Sequence, residues 1–268
     1  MKLLAIGGDA RNAYLVSRAT QQGMEAHGAG HSGIPAARAQ DVREADVVVL
    51  PDMRILESAP YAAMADQLKR DAEIYIYACP QAVNECCGCG RKTINLLRDE
   101  EYVQANARLT AEGALVRAAE GSRGALMGAR ATILGFGRIA QALTRRLLVM
   151  ETQVWVAARR EEARKQAEAM GAQAVPVEEA VLALRQADFV FNTVPARILG
   201  EDELRSISKC AVLMELASAP HGFEQEMARE LGLKVLKELG LPGRYCPRSA
   251  AAVMLDAIVR LHKGGGQV

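Results

Sequence analysis

The residues with the clearest chemical signature form a glycine-rich turn between an apolar run and a helical pattern. The turn reads Gly135, Phe136, Gly137, Arg138, Ile139, Ala140. In a G-x-G-x-x-A pattern the first glycine permits a tight turn, the second lets the backbone approach a pyrophosphate, and the small third residue keeps helix and strand close. The helix N-terminus offers free N–H groups to the anion. These residues therefore predict a dinucleotide site; a plain strand-to-helix turn is the alternative.

The end of the next apolar run indicates which dinucleotide is bound. After TQVWVAA the chain continues with Arg159 and Arg160, where an Asp or Glu would bind the ribose 2′-hydroxyl of NAD. A guanidinium pairs with a 2′-phosphate in fork geometry, whereas a carboxylate repels it. Both arginines therefore favour NADP over NAD. The alternative is that they only begin the charged, solvated helix RREEARKQAEAM.

Residues at the ends of two later apolar runs are further candidates for cofactor contacts. Thr193, Val194 and Pro195 end the run ADFVFNTV, and Ala217 and Ser218 follow AVLMEL. Ligands of open parallel sheets bind beyond the carboxyl ends of the strands. We expect these residues to border the cofactor.

A second glycine turn, IGGDAR at 6–11, is a weak nucleotide motif because Arg11 and Asn12 stand where a small third residue is needed. If the later turn holds the cofactor, this one is expected to face it and to present Asp9 and Arg11 to the substrate. Arg11 is suited to clamp a carboxylate by bidentate pairing, which predicts a dicarboxylate substrate. A surface arginine in the first helical turn is the alternative.

Two residues are candidates for the transfer of a proton. Glu112 lies in LTAEGAL, where Thr110 and Gly113 are candidate substrate contacts, and it is the first candidate base. An ion pair between Glu112 and an arginine is equally compatible with the pattern. His221, in APHGF, ranks below Arg11 and Glu112 as a catalytic candidate, because a single histidine in a turn is more often structural.

The C-terminal segment supplies two more cations. Arg244 follows the turn signal GLPG, and Arg248 lies in the first turn of the last helical pattern. A helix N-terminus can receive a carboxylate, so we expect both arginines to contact the substrate.

Strand-like and helical patterns alternate along the chain and predict an α/β protein with two doubly wound parallel sheets. The first series of strands is KLLAI, ADVVVL and EIYIYA. The second is ATILG, TQVWVAA, AQAV, ADFVFNTV, AVLMELA and LKVLKEL, which predicts a Rossmann domain. We place a substrate domain at 1–106, a connecting helix at 107–127, the Rossmann domain at 128–246, and a final helix at 248–263 that packs back on the first domain.

Composition argues for a small-molecule partner. The 33 Lys and Arg against 32 Asp and Glu give a net charge of +1, so no global field attracts nucleic acid or an anionic membrane. No apolar run approaches the roughly 18 residues of a membrane span, and no signal-peptide pattern is evident. We expect a cytoplasmic protein.

The six cysteines indicate reduced thiols rather than disulfides. Cys86, Cys87 and Cys89, with Cys79 upstream, lack the paired C-x-x-C spacing of structural zinc sites. Free thiols are therefore favoured over a metal site, and no metal is expected; the role of the cysteine cluster stays open.

Several of these segments, in this order, resemble the family of dipicolinate synthase A subunits over nearly the whole chain. The segments are IGGDAR (6–11), LTAEGAL (109–115), LGFGRIA (134–140), AARR (157–160), NTVPARIL (192–199), LASAPHG (216–222) and GLPGRYCPRSAA (240–251). The resemblance implies an N-terminal substrate domain and a Rossmann domain, as in 2-hydroxyacid and alanine dehydrogenases. It also implies NADP-dependent oxidation of dihydrodipicolinate, or of a hydroxytetrahydrodipicolinate precursor, to dipicolinate during sporulation. The expected partner is a flavoprotein-like B subunit of the same synthase, and we expect a homo-oligomer.

Two departures from the family pattern leave the exact substrate open. Leu109 stands where the family has proline, and Ala219 where it has arginine. A non-catalytic regulatory module that binds NADP(H) is one alternative function, since it would keep the glycine turn without needing Arg11 or Glu112. A dehydrogenase of the 2-hydroxyacid or alanine type is another; it predicts a catalytic His paired with an acid, or a lysine, and no clear pair is evident.

Overall fold

The chain folds into two compact units, each built on one parallel sheet. The computed structural model describes residues 1–30, 34, 36–57, 59–78, 91–122 and 124–263. Unit 1 comprises Met1–Asn106 and Pro242–Val268, and unit 2 comprises Ala107–Leu241. The predicted α/β class with two parallel sheets is confirmed. Within the described ranges no helix is long and apolar enough to cross a membrane.

The elements alternate between strands and helices through both units. The strands are β1 (Lys2–Ile6), β2 (Glu25–Ala29), β3 (Val47–Leu50), β4 (Glu73–Ile76), β5 (Thr93–Asn95), β6 (Arg130–Leu134), β7 (Gln153–Ala157), β8 (Gln173–Val175), β9 (Phe189–Asn192), β10 (Val212–Glu215) and β11 (Lys234–Lys237). The α-helices are α1 (Ala10–Gln21), α2 (Ala39–Glu44), α3 (Ala62–Ala65), α4 (Glu100–Ser122), α5 (Arg138–Val149), α6 (Glu161–Ala169), α7 (Val181–Gln186), α8 (Glu201–Ser206), α9 (Gln225–Glu230), α10 (Leu241–Tyr245) and α11 (Pro247–Lys263). Single 3₁₀ turns cover Met53–Glu57, Leu96–Arg98 and Val177–Glu179.

The sheet of unit 1 has the order β2-β1-β3-β4-β5. Its middle strands are continuous apolar runs such as VVVL, all four residues of which are buried, because helices cover both faces of a parallel sheet. Leu15 and Val16 of α1 share one core with Met254, Leu255 and Ile258 of α11. The prediction that the C-terminal helix packs back on the first domain is therefore confirmed.

Two strands of this sheet were not predicted. The segments EAHGA of β2 and TIN of β5 are short and lack the β-branched runs that mark a strand. Their extended conformation comes from pairing: β2 lies in register with β1 from Lys2–Glu25 to Ile6–Ala29, and β5 pairs with β4.

Helix α4 differs from the connecting helix predicted at 107–127. It begins at Glu100, because Oδ1 of Asp99 accepts a hydrogen bond of 2.8 Å from the backbone N–H of Tyr102 and so caps the helix. It ends at Ser122, whose hydroxyl accepts a bond of 3.0 Å from the N–H of Gly124. The helix therefore starts within unit 1 and continues into unit 2.

The sheet of unit 2 has the order β11-β10-β9-β6-β7-β8. The chain proceeds outward from β6 in one direction through β7 and β8, and in the other through β9, β10 and β11. The strand order thus reverses between β6 and β9. In doubly wound sheets the crevice beyond the carboxyl ends at such a switch point is the place where ligands bind.

Candidate cofactor site

The glycine turn follows β6 at the switch point and requires glycine at its first position. Gly135 has a φ of +87°, and its N–H donates a bond of 2.8 Å to the carbonyl oxygen of Ala157 on the adjacent strand. A Cβ at Gly135 would lie 2.5 Å from Cγ2 of Val194 and 2.9 Å from Oγ1 of Thr193. Both the backbone conformation and the close neighbours therefore exclude a side chain here.

The second glycine is required for a different reason. Gly137 is the N-cap of α5 and has an ordinary φ of −78°. No atom lies within 4 Å of the position that a Cβ would occupy there. Ala140, one turn into α5, is fully buried, so the helix stays close to the sheet. The backbone at Gly137 therefore borders open space at a helix N-terminus, as binding of a pyrophosphate requires.

A cavity of about 390 Å³ lies at this turn. The predicted cofactor residues that line it are Gly135, Phe136, Gly137, Arg159, Arg160 and Val194. Four apolar residues that were not predicted complete the lining: Ala158, Ala163, Val177 and Ile198. The cavity thus combines a glycine turn, a cationic side and an apolar wall, a composition that fits a dinucleotide.

The cationic side of the cavity comes from the loop between β7 and α6. Arg159 and Arg160 are exposed, and within the described part of the chain neither guanidinium has a hydrogen-bond or ion-pair partner. Arg164 holds the loop, since its Nη1 donates to the carbonyl oxygens of Ala158 at 2.8 Å and Arg159 at 2.7 Å. Two charged groups are thereby available to an anion at the end of β7.

The other predicted cofactor residues surround the switch point without lining this cavity. Arg138 and Ile139 form the first turn of α5, and Pro195 is exposed beyond β9. The hydroxyl of Thr193 donates 2.8 Å to the carbonyl oxygen of Leu134 and so ties the end of β9 to β6.

A buried polar network joins the ends of β9 and β10, and sequence reasoning missed it. Glu215 is fully buried and accepts three hydrogen bonds: from Nδ2 of Asn192 at 2.7 Å, from the N–H of Ala217 at 2.9 Å and from the N–H of Gly222 at 2.8 Å. Nδ2 of Asn192 also donates a bond of 3.0 Å to the carbonyl oxygen of Val194, and Oδ1 of Asn192 accepts one of 3.1 Å from the N–H of Val194. The signal was present, since a polar residue closes each of the apolar runs FVFN and VLME.

His221 lies in the loop that this network holds. It has a φ of +67°, a conformation that few residues other than glycine adopt, and its ring is partly buried. Nδ1 lies 2.9 Å from the carbonyl oxygen of Ala217. A carbonyl oxygen only accepts, so Nδ1 carries the proton and Nε2 is the acceptor of the neutral ring. Ser218, in the same loop, is exposed.

The candidate residues of α4 have defined partners within unit 2. Glu112 is half exposed and pairs with Arg146 at 2.8 Å, so the ion pair that was one interpretation of this residue is present. A Cβ at Gly113 would lie 2.9 Å from Cβ of Leu241, which makes this glycine a close packing position. Thr110 is buried.

In unit 1, Arg11 is buried rather than a surface arginine. Only 7% of it is exposed, and its guanidinium pairs with Asp9 through Nε at 2.9 Å and Nη2 at 2.8 Å. The guanidinium also lies 4.5 Å from the ring centroid of Tyr77. Burial raises the pKa of the neighbouring Tyr102 to about 12. The bidentate carboxylate partner expected of a substrate is thus supplied here by Asp9.

Arg244 and Arg248 are both exposed at the C-terminal side of unit 1. The guanidinium of Arg244 lies 5.5 Å from the ring centroid of Tyr245. Gly243 packs tightly on the first glycine turn, since a Cβ there would lie 2.2 Å from Oδ2 of Asp9.

One group of side chains in the described ranges brings three possible metal-ligand atoms within 4.8 Å of one another: Glu25, His27 and Asp41. The carboxylate of Asp41 is already bound by the backbone and guanidinium of Arg38. The cysteines at 79, 86, 87 and 89 lie outside the described residues.

Comparison with known proteins agrees with this geometry. The family described as D-isomer specific 2-hydroxyacid dehydrogenase, NAD binding domain, matches residues 91–241, more than half of the chain. The chain belongs to this family. Membership supports a nicotinamide dinucleotide site in unit 2 and a relationship to oxidoreductases. The residues of the glycine turn fit this cofactor.

Individual relatives extend the likeness over the whole chain. The A subunit of dipicolinate synthase from Bacillus subtilis (strain 168) is 23% identical, and the match covers 97% of this chain and 95% of the relative. The crystal structure of the corresponding A subunit from Bacillus halodurans superposes with a TM-score of 0.83 at 23% identity, covering 97% of this chain and 96% of that one. The transhydrogenase from Sinorhizobium meliloti gives a TM-score of 0.73 at 17% identity, with coverage of 97% and 93%. The resemblance to the dipicolinate synthase A subunits is confirmed, and the structural likenesses show the fold.

Proposed function

We propose that the protein is an NADP-dependent oxidoreductase that converts dihydrodipicolinate, or a hydroxytetrahydrodipicolinate precursor, to dipicolinate, as the A subunit of a dipicolinate synthase. The observation that carries the cofactor choice is the pair of guanidiniums of Arg159 and Arg160, which have no protein partner in the described ranges and stand on the wall of the cavity at the glycine turn. The substrate class is supported by the full-length likeness to the A subunit of dipicolinate synthase.

The end of β7 favours a 2′-phosphate over a 2′-hydroxyl. The chain has no carboxylate from Ala157 to Arg160, so nothing there binds the hydroxyl pair of an NAD ribose. The nearest acid, Glu161, pairs with Lys165 at 2.7 Å. A phosphate between these two guanidiniums gains charge-assisted hydrogen bonds without displacing an existing partner.

Oxidation of a dihydropyridine dicarboxylate removes one hydride and one proton and leaves an aromatic ring. A hydroxytetrahydro precursor must first lose one water to reach the same dihydro ring. When bound, the oxidised nicotinamide supplies the hydride acceptor, at its C4. The protein must bind two carboxylates and take up the proton. Arg244 and Arg248 are exposed and are proposed to bind the two carboxylates. Arg11 is held by Asp9 and orders the turn that carries both residues.

His221 and Glu112 are the candidate acceptors for the proton, and their surroundings differ. Glu112 must leave Arg146 before it can act as a base, whereas the hydrogen bond at Nδ1 of His221 leaves Nε2 as the acceptor of the neutral ring. The geometry therefore favours His221 over Glu112, the reverse of the ranking based on sequence. Thr110 and Gly113 of α4 are proposed as substrate neighbours. A partner B subunit of the synthase, a homo-oligomeric assembly and a cytoplasmic location complete the proposal.

A fluorescence titration with NADPH and NADH tests the cofactor choice. Arg159→Asp is expected to weaken NADPH binding by about 10-fold to 100-fold, from the roughly 1.5–3 kcal/mol of a charge-assisted hydrogen bond. NADH binding is expected to change much less. Arg185→Asp, at an exposed arginine of unit 2 that does not line the cavity, is the matched control. Equal loss of both nucleotides, or no loss of NADPH, contradicts the assignment.

Repeating the titration with dipicolinate tests the substrate class. We expect dipicolinate to change the affinity for NADPH, because product and cofactor occupy one catalytic site. NADPH binding that is indifferent to dipicolinate would instead favour the regulatory module or a different substrate. If both titrations give the expected result, the next measurement is an assay of dipicolinate formation in the presence of the B subunit.

A further inference from the structure

The polar network at the ends of β9 and β10 holds both ends of the loop that carries His221. We propose that Glu215 and Asn192 are positioning residues that hold His221 in a single tautomer, with Nδ1 protonated and Nε2 open as a proton acceptor. This deepens the proposed function, on which the catalytic meaning of Nε2 rests. The positioning itself is a property of this chain and is measurable without cofactor or substrate.

The carboxylate of Glu215 is the centre of the network. Its side chain is 0% exposed, and the three groups that donate to it are neutral: one side-chain amide and two backbone N–H groups. No cation in the described part of the chain pairs with it. Burial of a carboxyl group without a counterion is costly unless its oxygens are hydrogen-bonded, and the three N–H donors supply those bonds. An apolar side chain would fill this position at the end of β10 at a lower energetic cost, which points to a role for Glu215 other than packing.

The donors of Glu215 determine the shape of the histidine loop. The N–H groups of Ala217 and Gly222 flank the loop, so one carboxylate clamps both of its ends. Within the clamp His221 takes its positive φ, and its ring returns to the carbonyl oxygen of Ala217. A left-handed conformation at a non-glycine residue is strained and persists only where its surroundings impose it.

Asn192 links this clamp to the cofactor side of the sheet. Its amide bridges Glu215 and the loop at Val194, and Val194 lines the cavity at the glycine turn. A Cβ at Gly222 would lie 2.3 Å from Nδ2 of Asn192, so the loop lies directly on this amide. The backbone of Ile198, another lining residue, donates 2.9 Å to the carbonyl oxygen of Gly222. One pair of buried side chains therefore sets the cavity wall and the histidine loop together.

The tautomer is an unusual one, which makes it a sharp signature. A histidine side chain in water prefers the proton on Nε2, whereas a hydrogen bond to the carbonyl oxygen of Ala217 requires it on Nδ1. If the loop loses its clamp, the ring leaves this carbonyl and returns to the solution preference. A merely structural role for Glu215 would lower stability without altering the tautomer.

Two-bond ¹H–¹⁵N NMR of protein labelled at its histidines reads the tautomer directly. The chain has four histidines, and His221→Gln identifies the resonances of interest. In the wild type we expect the neutral ring of His221 in the Nδ1–H form. In folded Glu215→Gln we expect that form to be replaced by a mainly Nε2–H ring. The spectrum is recorded on the whole chain without ligand.

Glu238→Gln is the matched control. Glu238 is also a buried glutamate, directly after the adjacent strand β11, but its carboxylate pairs with Arg117 of α4 at 2.7 Å. We expect Glu238→Gln to leave His221 in the Nδ1–H form. Should Glu215→Gln not fold, Asn192→Ala takes its place, because it removes the amide that supports the carboxylate and the loop.

Two results overturn the proposal: an Nε2–H ring in the wild type, or an Nδ1–H ring that survives in the folded Glu215 or Asn192 variant. Addition of NADPH and dipicolinate provides the separate test of the proposed function. A shift of the His221 resonances on addition supports its place beside the substrate. The expected tautomers without such a shift would support the positioning and count against the proposed reaction, so the two failures are distinguishable.

Discussion

The two glycines of the cofactor turn should respond differently to the same small change, substitution by alanine. Gly135 has a left-handed backbone and close neighbours, whereas Gly137 has ordinary backbone angles and an empty space where its Cβ would be. Gly135→Ala is therefore expected to damage the fold and the site together. Gly137→Ala is expected to damage the site alone.

The magnitude for Gly135→Ala has two parts. The left-handed conformation costs an alanine roughly 1–2 kcal/mol. The new Cβ, 2.5 Å from Cγ2 of Val194, displaces a side chain that is stiff at χ1, and overpacking of this kind costs about 1–3 kcal/mol. The lower entropy of the unfolded alanine chain offsets only about 0.4–1 kcal/mol. A net loss of about 1–5 kcal/mol should lower the Tm by roughly 2–18 °C.

For Gly137→Ala the free energy of unfolding should change by less than about 0.5 kcal/mol, since the methyl group meets no protein atom. The same methyl group occupies the approach to the N–H groups at the start of α5. Loss of one charge-assisted hydrogen bond to phosphate, worth roughly 1.5–3 kcal/mol, weakens cofactor binding by about 10-fold to 100-fold.

Thermal unfolding followed by circular dichroism, with an NADPH titration of each folded variant at 25 °C, measures both effects. An unchanged Tm for Gly135→Ala would refute the steric reasoning. Wild-type affinity in Gly137→Ala would refute the view that the cofactor passes over this glycine.

Two further predictions concern unit 1. Leu255→Ala removes a fully buried side chain of α11 from the core shared with α1, and should lower the free energy of unfolding in urea by about 2–5 kcal/mol. The control is Asp256→Ala at an exposed position of the same helix, which should change the free energy of unfolding by less than about 0.5 kcal/mol. A small effect at Leu255 would mean that α11 adds little to this core. A hydrogen bond from the Arg38 side chain lowers the pKa of Asp41 from 3.8 to about 2, so the ionised carboxylate stabilises the fold above pH 3.8 and this contribution is lost as the pH falls toward 2. Arg38→Ala should raise the pKa of Asp41, as measured by NMR titration of its carboxyl carbon, and should shift acid unfolding to higher pH. The control is Arg43→Ala at an exposed position of the same helix. An unchanged pKa of Asp41 in Arg38→Ala would contradict the assigned cause.

The sequence alone determined the α/β class and most of the strands of unit 2. Apolar runs such as ATIL and FVFN are local patterns, and a buried parallel strand needs little more than such a run. The glycine turn was equally legible, because the need for φ above zero at Gly135 and for open space at Gly137 selects the residue type at each position. The strands β2 and β5 were missed, since their extended form depends on the partner strand rather than on their own residues.

The tertiary structure decided which charged side chains are available. Arg11 and Glu112 looked equally suited to chemistry in the sequence, yet Asp9 binds the first and Arg146 pairs with the second, 34 residues further along the chain. The sequence does not single out Glu215 and Asn192, because polar residues are common at strand ends. Only the fold shows that both are buried and that three N–H groups donate to Glu215. Residue type and spacing are local properties of the sequence, whereas burial and charge pairing depend on which distant segments the fold brings together.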